Sequence, residues 1–126
     1  MIRTILATFA AAVWISLSEF VRNSLMFHTL WEEKYQTLGL TFPNAPVNGM
    51  IWGLWSLVYA ALITIISCRF SLKETIALAW VFGFVLMWLV IGNLGVLPFG
   101  LLVYAVPLSL LEAALASWIA RAILLR

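Results

Sequence analysis

The chain has 126 residues, of which 65% are hydrophobic and only 10% charged, with a formal net charge of +2. Soluble domains carry about 25% charged residues, so this composition excludes a water-soluble domain and fits a protein surrounded by lipid. The single cysteine (Cys68), the single histidine (His28) and the absence of aspartate leave no intrachain disulfide and no cysteine- or histidine-rich metal site. No basic stripe is present for nucleic acid. We therefore expect no metal, no cofactor and no nucleic-acid partner.

Four apolar segments predict an all-α fold, a four-transmembrane-helix bundle that forms one integral membrane domain over residues 1–126. Each is long enough to cross about 30 Å of hydrocarbon at 1.5 Å per residue. The segments are 4–27, 47–68, 75–94 and 99–125. The first begins like a signal peptide, with Arg3 followed by an apolar run, but the run continues well past Ala12. We expect it to be a retained first helix.

Three polar residues share one face of the first segment. Glu19 and Arg22 are three residues apart, and Glu19 and Asn23 are four apart, which places all three on the same side of a helix. A polar stripe in an apolar helix faces protein or water rather than lipid. One interpretation is an intrahelical ion pair that lets the stripe enter the bilayer. The other is a polar pocket that faces outward and is closed by the loop over residues 31–46.

The outer loop, residues 28–46, is the only connection long enough for structure of its own. Trp31, Tyr35 and Leu38 recur at helical spacing, opposite charged residues. This pattern predicts an amphipathic extension of the first helix at the membrane interface. The pair Leu38-Gly39 resembles Leu94-Gly95 further on, but the likeness is too short to indicate a duplication.

The second segment carries the small-residue pattern Gly49-x-x-x-Gly53. Small residues four apart let two helices approach closely, and we favour packing inside the bundle over dimerisation. Ser71 and Glu74 have the spacing of a capping box, with Ser71 as the cap of the third helix. This predicts a tight turn between the second and third helices.

Seven tryptophans are distributed along the chain. Aromatic belts at the two membrane interfaces account for most of them. A ligand cage is the alternative interpretation.

Glu112 is the most informative residue of the fourth segment. It lies nine residues before Arg121 and thirteen after Phe99, roughly 14 Å and 20 Å from the two ends, so its side chain cannot reach water easily. A charge at that depth costs at least ~2.5 kcal/mol, so we expect a partner, a cavity or a bound proton. The functional interpretation is a proton- or cation-responsive site, and the structural one is a carboxyl group hydrogen-bonded across helices.

Small residues near Glu112 indicate that this face points into the bundle. They lie one to two turns from it, on the same side of the helix. These residues are Ser109, Ala113, Ala116 and Ala120. Pro107 removes the backbone bond to Val103 and predicts a kink. By axial rise, Glu19 and Glu112 differ in depth by roughly 10 Å, so we expect two ends of one polar track rather than a carboxylate dyad.

The basic residues predict an orientation. Five would lie on one side of four alternating helices: Arg3, Arg69, Lys73, Arg121 and Arg126. The other side has Lys34 beside two glutamates. The positive-inside rule then places both termini in the cytoplasm and the protein in the cytoplasmic (inner) membrane.

Two resemblances arise at the first helix. Ser18-Glu19-Phe20, followed by Leu25-Met26, resembles the first helix of small multidrug-resistance transporters, four-helix proteins with a proton-coupled glutamate in that helix. Arg22, the long outer loop and Glu112 depart from that pattern. The whole chain resembles in outline uncharacterised bacterial four-helix membrane families, in which an aromatic segment like 27–39 follows the first helix. That resemblance implies no activity.

No nucleophile–base pair or phosphate-binding glycine loop is present in the sequence, so we expect no enzyme. The sequence favours a multi-pass membrane protein whose polar intramembrane site binds or passes a small solute or proton. The alternative is a structural or assembly subunit of a membrane complex. A bundle of this size encloses little volume alone, so we expect a homo-oligomer or a membrane-protein partner in addition to the lipid bilayer.

Overall fold

The computed structural model describes all residues 1–126 and contains five helices and no strand. Four of the helices are long and apolar enough to cross a membrane. We number the helices α1 (Ile2–Met26), α2 (His28–Thr37), α3 (Pro46–Ser67), α4 (Leu72–Asn93) and α5 (Phe99–Leu124). The prediction of an all-α bundle is confirmed, and its four long helices have the length and apolar composition that a membrane span needs.

The four long helices form a bundle around a core of small residues. α1 packs against α5 and α3, and α4 packs against the same two helices from the other side. Ala7 and Ala11 of α1 and Ala113 and Ala116 of α5 have no exposed surface, so the two backbones approach closely. The predicted inward face of α5 is confirmed, because Ser109 and Ala120 are also fully buried.

The outer surface of the bundle is apolar. Large side chains such as Phe9, Leu62, Leu89 and Val103 are more than half exposed. A continuous apolar surface of this kind is a liability in water and matches lipid. The fold is therefore that of an integral membrane protein.

The turn between α3 and α4 is closed in two ways. Ser71 caps α4 by accepting a hydrogen bond from the Glu74 backbone N–H, and Glu74 accepts one from the Ser71 N–H, so the capping box is confirmed. α4 consequently begins at Leu72, three residues before the apolar boundary at residue 75. Arg121 of α5 donates to the backbone oxygens of Ser67 and Phe70 at 3.4 and 2.6 Å. We call this end of the bundle, which also holds both chain termini, the terminal end.

The opposite end, here called the loop end, carries the 28–46 segment and the α4–α5 turn. α2 is a separate helix rather than an extension of α1, because Phe27 leaves helical geometry with φ −109° and ψ 4°. α2 ends at Thr37, so Leu38 lies just beyond it. Trp31 and Tyr35 both pack on Phe42, with ring centroids 6.3 and 5.2 Å away.

The two leucine-glycine pairs end their helices in the same way. Gly39 and Gly95 have φ values of +70° and +76°, and the residue after each donates to a carbonyl five residues earlier. Glycine is favoured here because this left-handed conformation strains other residues. The likeness between Leu38-Gly39 and Leu94-Gly95 thus reflects a shared helix-ending motif.

Candidate functional site

A buried ion cluster joins α1 and α5. Arg22 Nη2 donates to the Glu19 carboxylate and lies 3.3 Å from Glu112 Oε2. Glu112 has no exposed surface, and Glu19 and Arg22 are each only 6% exposed. The guanidinium group therefore serves two carboxyl groups at once, one on its own helix and one on the facing helix.

Neighbouring side chains fix the two carboxyl groups. Asn23 Nδ2 donates to Glu19 Oε2 at 2.6 Å, and Ser18 Oγ donates to Glu112 Oε2 at 2.5 Å. Trp14 Nε1 donates to the Glu112 backbone oxygen at 3.1 Å. This hydrogen bond helps to fix the axial register between α1 and α5. We refer to Ser18, Glu19, Arg22, Asn23 and Glu112 as the polar cluster.

The prediction that Glu19 and Glu112 mark two separate ends of a polar track is wrong. The two carboxyl groups share Arg22 as their charged partner. Side chains of an α-helix lean toward its N-terminus. Because α1 and α5 run in opposite directions, Arg22 and Glu112 lean toward each other and close the gap that axial rise alone suggests.

The charges of the polar cluster do not cancel. Two ionised carboxylates and one guanidinium carry a net charge of −1, and isolated charge is expensive inside a bilayer. Two of its buried polar atoms, Arg22 Nη1 and Glu112 Oε1, have no hydrogen-bond partner. A proton or a bound group of suitable chemistry would complete the cluster.

The backbone of α1 changes form at the polar cluster. It is α-helical from Ile2 to Glu19 and π-helical from Phe20 to Met26. A second π-helical stretch, Val81–Val85, lies in α4 and supplies Phe84, whose ring lies 5.0 Å from the Arg22 guanidinium carbon. π-helical turns are rare and concentrate at functional sites.

A cavity of about 670 Å³ lies at the loop end of the bundle, directly above the polar cluster. Glu19, Arg22 and Asn23 form part of its lining at the deep end, and Asn44 and Asn48 line it near the loop. The volume is within the roughly 300–1,000 Å³ range of small-molecule sites. The 42–46 stretch of the loop also lines it, which agrees with the predicted polar pocket under the outer loop. We call this cavity the loop-end pocket.

Aromatic side chains from several elements line the pocket. Trp31, Trp52 and Trp88 line it together with Phe84 and Phe42. These three tryptophans come from α2, α3 and α4, so three helices present indole rings to one cavity. Three of the seven tryptophans thus lie around one cavity, which the ligand-cage interpretation requires, whereas Trp14 and Trp80 donate hydrogen bonds to α5.

The preference for packing Gly49 and Gly53 inside the bundle is wrong. Both glycines are exposed, and a Cβ added to either would meet nothing within 4 Å. The glycine that does make close contact is Gly83, where an added Cβ would lie 2.5 Å from the Tyr59 ring. Pro107 lies inside the α-helical part of α5, which continues on both sides of it from Leu102 to Leu124.

Sequence reasoning missed several residues of the site. Trp14, Ser18 and Arg22 follow one another at intervals of four, a spacing that places them on one helix face toward α5. This signal could have added Trp14 and Ser18 to the predicted cluster. Phe84 gave no such signal, since its position over Arg22 depends on how α4 packs. No group of three His, Cys, Asp or Glu side chains is placed to hold a metal ion.

The fold and the site together define an integral membrane helical bundle with a buried ion cluster beneath a cavity. Comparison with family models, with curated proteins and with solved structures gave no match. Both resemblances drawn from the sequence therefore stay predictions.

Proposed function

We propose that this chain is a non-enzymatic multi-pass membrane protein whose intramembrane site binds or passes a small solute or proton. The observation that carries the proposal is the polar cluster at the deep end of the loop-end pocket. The buried Arg22, shared by two carboxyl groups, lines that pocket together with Glu19. Glu112 lies behind them, fully buried, with one carboxyl oxygen that has no hydrogen-bond partner.

The charge of the cluster supports this proposal. A sealed structural ion pair needs one positive and one negative partner, whereas this cluster has a second carboxyl group. The extra negative charge is balanced by a proton or by a positive group of a solute. Exchange between those two states would couple solute binding to protonation.

The proposed location is the cytoplasmic (inner) membrane, with both termini inside. Arg69 and Lys73 lie in or beside the α3–α4 turn at the terminal end, where Arg3, Arg121 and Arg126 also lie. The positive-inside rule then places the terminal end in the cytoplasm. The loop-end pocket would open on the opposite, outer side.

The second candidate function is that of a structural or assembly subunit. The open space beside Gly53 favours it, because an exposed small residue in an apolar helix suits close approach of another membrane helix. Gly49, one turn earlier, lines the loop-end pocket. A second copy of the chain or a different membrane protein would fill the space beside Gly53. The two functions are compatible only if the partner leaves the loop-end pocket open.

Glu112→Gln tests the first of the two functions. The substitution keeps the shape of the side chain and removes its charge, so we expect the bundle to stay folded. Proton influx into proteoliposomes with a trapped pH indicator, driven by a potassium diffusion potential, would be measured against protein-free vesicles. We expect wild-type flux above the protein-free rate and a Glu112→Gln flux that falls to it.

The matched control is Glu33→Gln, which removes a carboxylate from the exposed side of α2 and should leave the flux unchanged. Equal flux for wild type and Glu112→Gln would contradict a role for the cluster in proton passage. The assembly function is tested at the exposed face of α3 instead: loss of a co-purifying membrane protein in Gly53→Leu, with proton flux unchanged in Glu112→Gln, would support it.

A further inference from the structure

A second, smaller cavity reaches the polar cluster from the side of the bundle. It has a volume of about 220 Å³ and is lined only by residues of α1 and α5. Its lining residues are Trp14, Leu17, Ser18, Val21, Arg22, Met26, Leu108 and Leu111. We call it the lateral cleft.

The lateral cleft faces the surroundings of the bundle. Leu17, Val21 and Leu111 on its walls are each about half exposed, at 58%, 47% and 52%. In a membrane, this side of α1 and α5 is in contact with lipid chains. The cleft is therefore apolar and opens toward the lipid chains, so lipid-soluble molecules can enter it directly from the bilayer.

Arg22 lines both cavities. It forms part of the loop-end pocket and part of the lateral cleft. Only 6% of its surface is exposed. Its Nη1 has no hydrogen-bond partner in the protein. A buried donor without a partner destabilises the protein, and more so when it is charged, so a ligand that supplies an acceptor near Arg22 would be held there.

The charge of the cluster decides between kinds of acceptor. Arg22 already faces the carboxyl groups of Glu19 and Glu112. An anionic headgroup would add repulsion from two carboxylates, whereas a neutral carbonyl or hydroxyl oxygen accepts a hydrogen bond without it.

We propose that the lateral cleft admits a neutral, lipid-soluble molecule from the bilayer, whose carbonyl or hydroxyl group bonds Arg22 while its hydrocarbon part occupies the cleft. This inference rests on the proposed function in taking the polar cluster as a binding site, and it names the class of ligand and the route of entry. The volume suits part of one chain rather than a two-chain lipid.

The probe is a monoacylglycerol with a photoreactive diazirine in its acyl chain, added to the full-length protein in phosphatidylcholine nanodiscs. After illumination, labelled positions are mapped by peptide mass spectrometry. We expect saturable labelling of Leu17, Val21 and Leu111, suppressed by excess unlabelled monoacylglycerol. Labelling spread evenly over the outer surface of all four long helices would overturn the proposal.

Leu111→Trp fills the cleft, and Leu110→Trp makes the same change on the neighbouring residue, which is 42% exposed and does not line it. We expect Leu111→Trp to lower cleft labelling about tenfold and Leu110→Trp to leave it unchanged. Circular dichroism and gel filtration verify that both variants are folded. Equal labelling in the two variants would contradict the cleft as the binding position.

A diazirine-bearing alkane of the same chain length tests the contribution of Arg22. Without an acceptor it should label the apolar surface with no preference for the cleft, and an equal preference would overturn the part assigned to Arg22. These results are independent of the flux assay. Cleft labelling without proton flux would refute proton passage alone, and flux without cleft labelling would refute the lateral ligand alone.

Discussion

Arg22 is the positive centre of the buried polar cluster. It is the only basic residue among the buried polar residues, and it neutralises charge on two carboxyl groups. Removal of one partner of a buried ion pair leaves an uncompensated charge. The stability of the α1–α5 contact therefore depends on this guanidinium group more than on either carboxylate.

Arg22→Gln should destabilise the protein by about 3–5 kcal/mol, since Glu19 and Glu112 would be left buried without a positive partner. The free energy of unfolding in a detergent denaturation series measures the effect. Arg69→Gln is the matched control, because Arg69 is exposed near the α3–α4 turn. A loss no larger than that of the control would show that Arg22 is not the centre of the cluster.

The double variant Arg22→Gln/Glu112→Gln measures the coupling within the cluster. Without the Glu112 charge, the loss of Arg22 leaves one buried carboxylate uncompensated instead of two. The double variant should therefore lose about 1–3 kcal/mol less unfolding free energy than the sum of the two single losses. Strict additivity would mean that the 3.3 Å contact contributes no energy.

At this scale the sequence predicted much of the cluster. Helical spacing places Glu19, Arg22 and Asn23 on one face, and the distance of Glu112 from both segment ends marks it as deep. The meeting of Glu19 and Glu112 could not be predicted, since it depends on the register of α1 against α5. That register is set by contacts between distant parts of the chain, such as the Trp14 indole on the Glu112 carbonyl.

At the scale of elements, the two π-helical stretches determine which side chains of α1 and α4 reach the polar cluster and the loop-end pocket. Phe20–Met26 lies at the loop-end pocket, and Val81–Val85 places Gly83 beside Tyr59 and Phe84 over Arg22. The Tyr59 hydroxyl donates to the Ala79 carbonyl at 2.8 Å, one turn before Gly83. A side-chain hydrogen bond from α3 thus holds α4 where its helix widens.

Gly83→Ala should destabilise the protein by about 1–3 kcal/mol, the usual result of overpacking, because the added methyl would lie 2.5 Å from the Tyr59 ring. Gly53→Ala is the matched control, with nothing within 4 Å of the added carbon, and alanine is the better helix former. Thermal unfolding in detergent compares the two. A Gly83→Ala variant as stable as Gly53→Ala would contradict the close α3–α4 contact.

Hydropathy and the capping box predicted where the long helices begin, but neither predicted the π-helical stretches inside α1 and α4. The boundaries at residues 4, 47 and 99 fall within two residues of the observed starts, and Ser71 located the start of α4 better than the apolar boundary at residue 75 did. The π-helical stretches have no local sequence signature. They arise where packing on another helix, rather than propensity, decides the backbone.

At the scale of the whole molecule, the question is whether the polar cluster is open to solutes or sealed. A sealed cluster would be a structural ion pair that joins α1 to α5. The loop-end pocket of about 670 Å³ above it and the lateral cleft beside it favour an open one. The proposed binding function depends on this distinction, and the lateral ligand adds a route to the same residues.

Cysteine accessibility tests this most directly. In a Cys68→Ser background, which removes the only native thiol, Asn23→Cys places a thiol at the deep end of the loop-end pocket and Asn48→Cys places one nearer the loop. Leu17→Cys, two residues before Glu19 but outside that pocket, is the lipid-facing control. Each would react in proteoliposomes with a charged, membrane-impermeant methanethiosulfonate and, separately, with a lipid-soluble maleimide.

If the polar cluster is reached through the loop-end pocket, Asn23→Cys and Asn48→Cys will both react with the impermeant reagent. Leu17→Cys will react only with the maleimide. A sealed ion pair predicts that Asn23→Cys resists the impermeant reagent as completely as Leu17→Cys does, and that result in a folded variant would contradict the central claim.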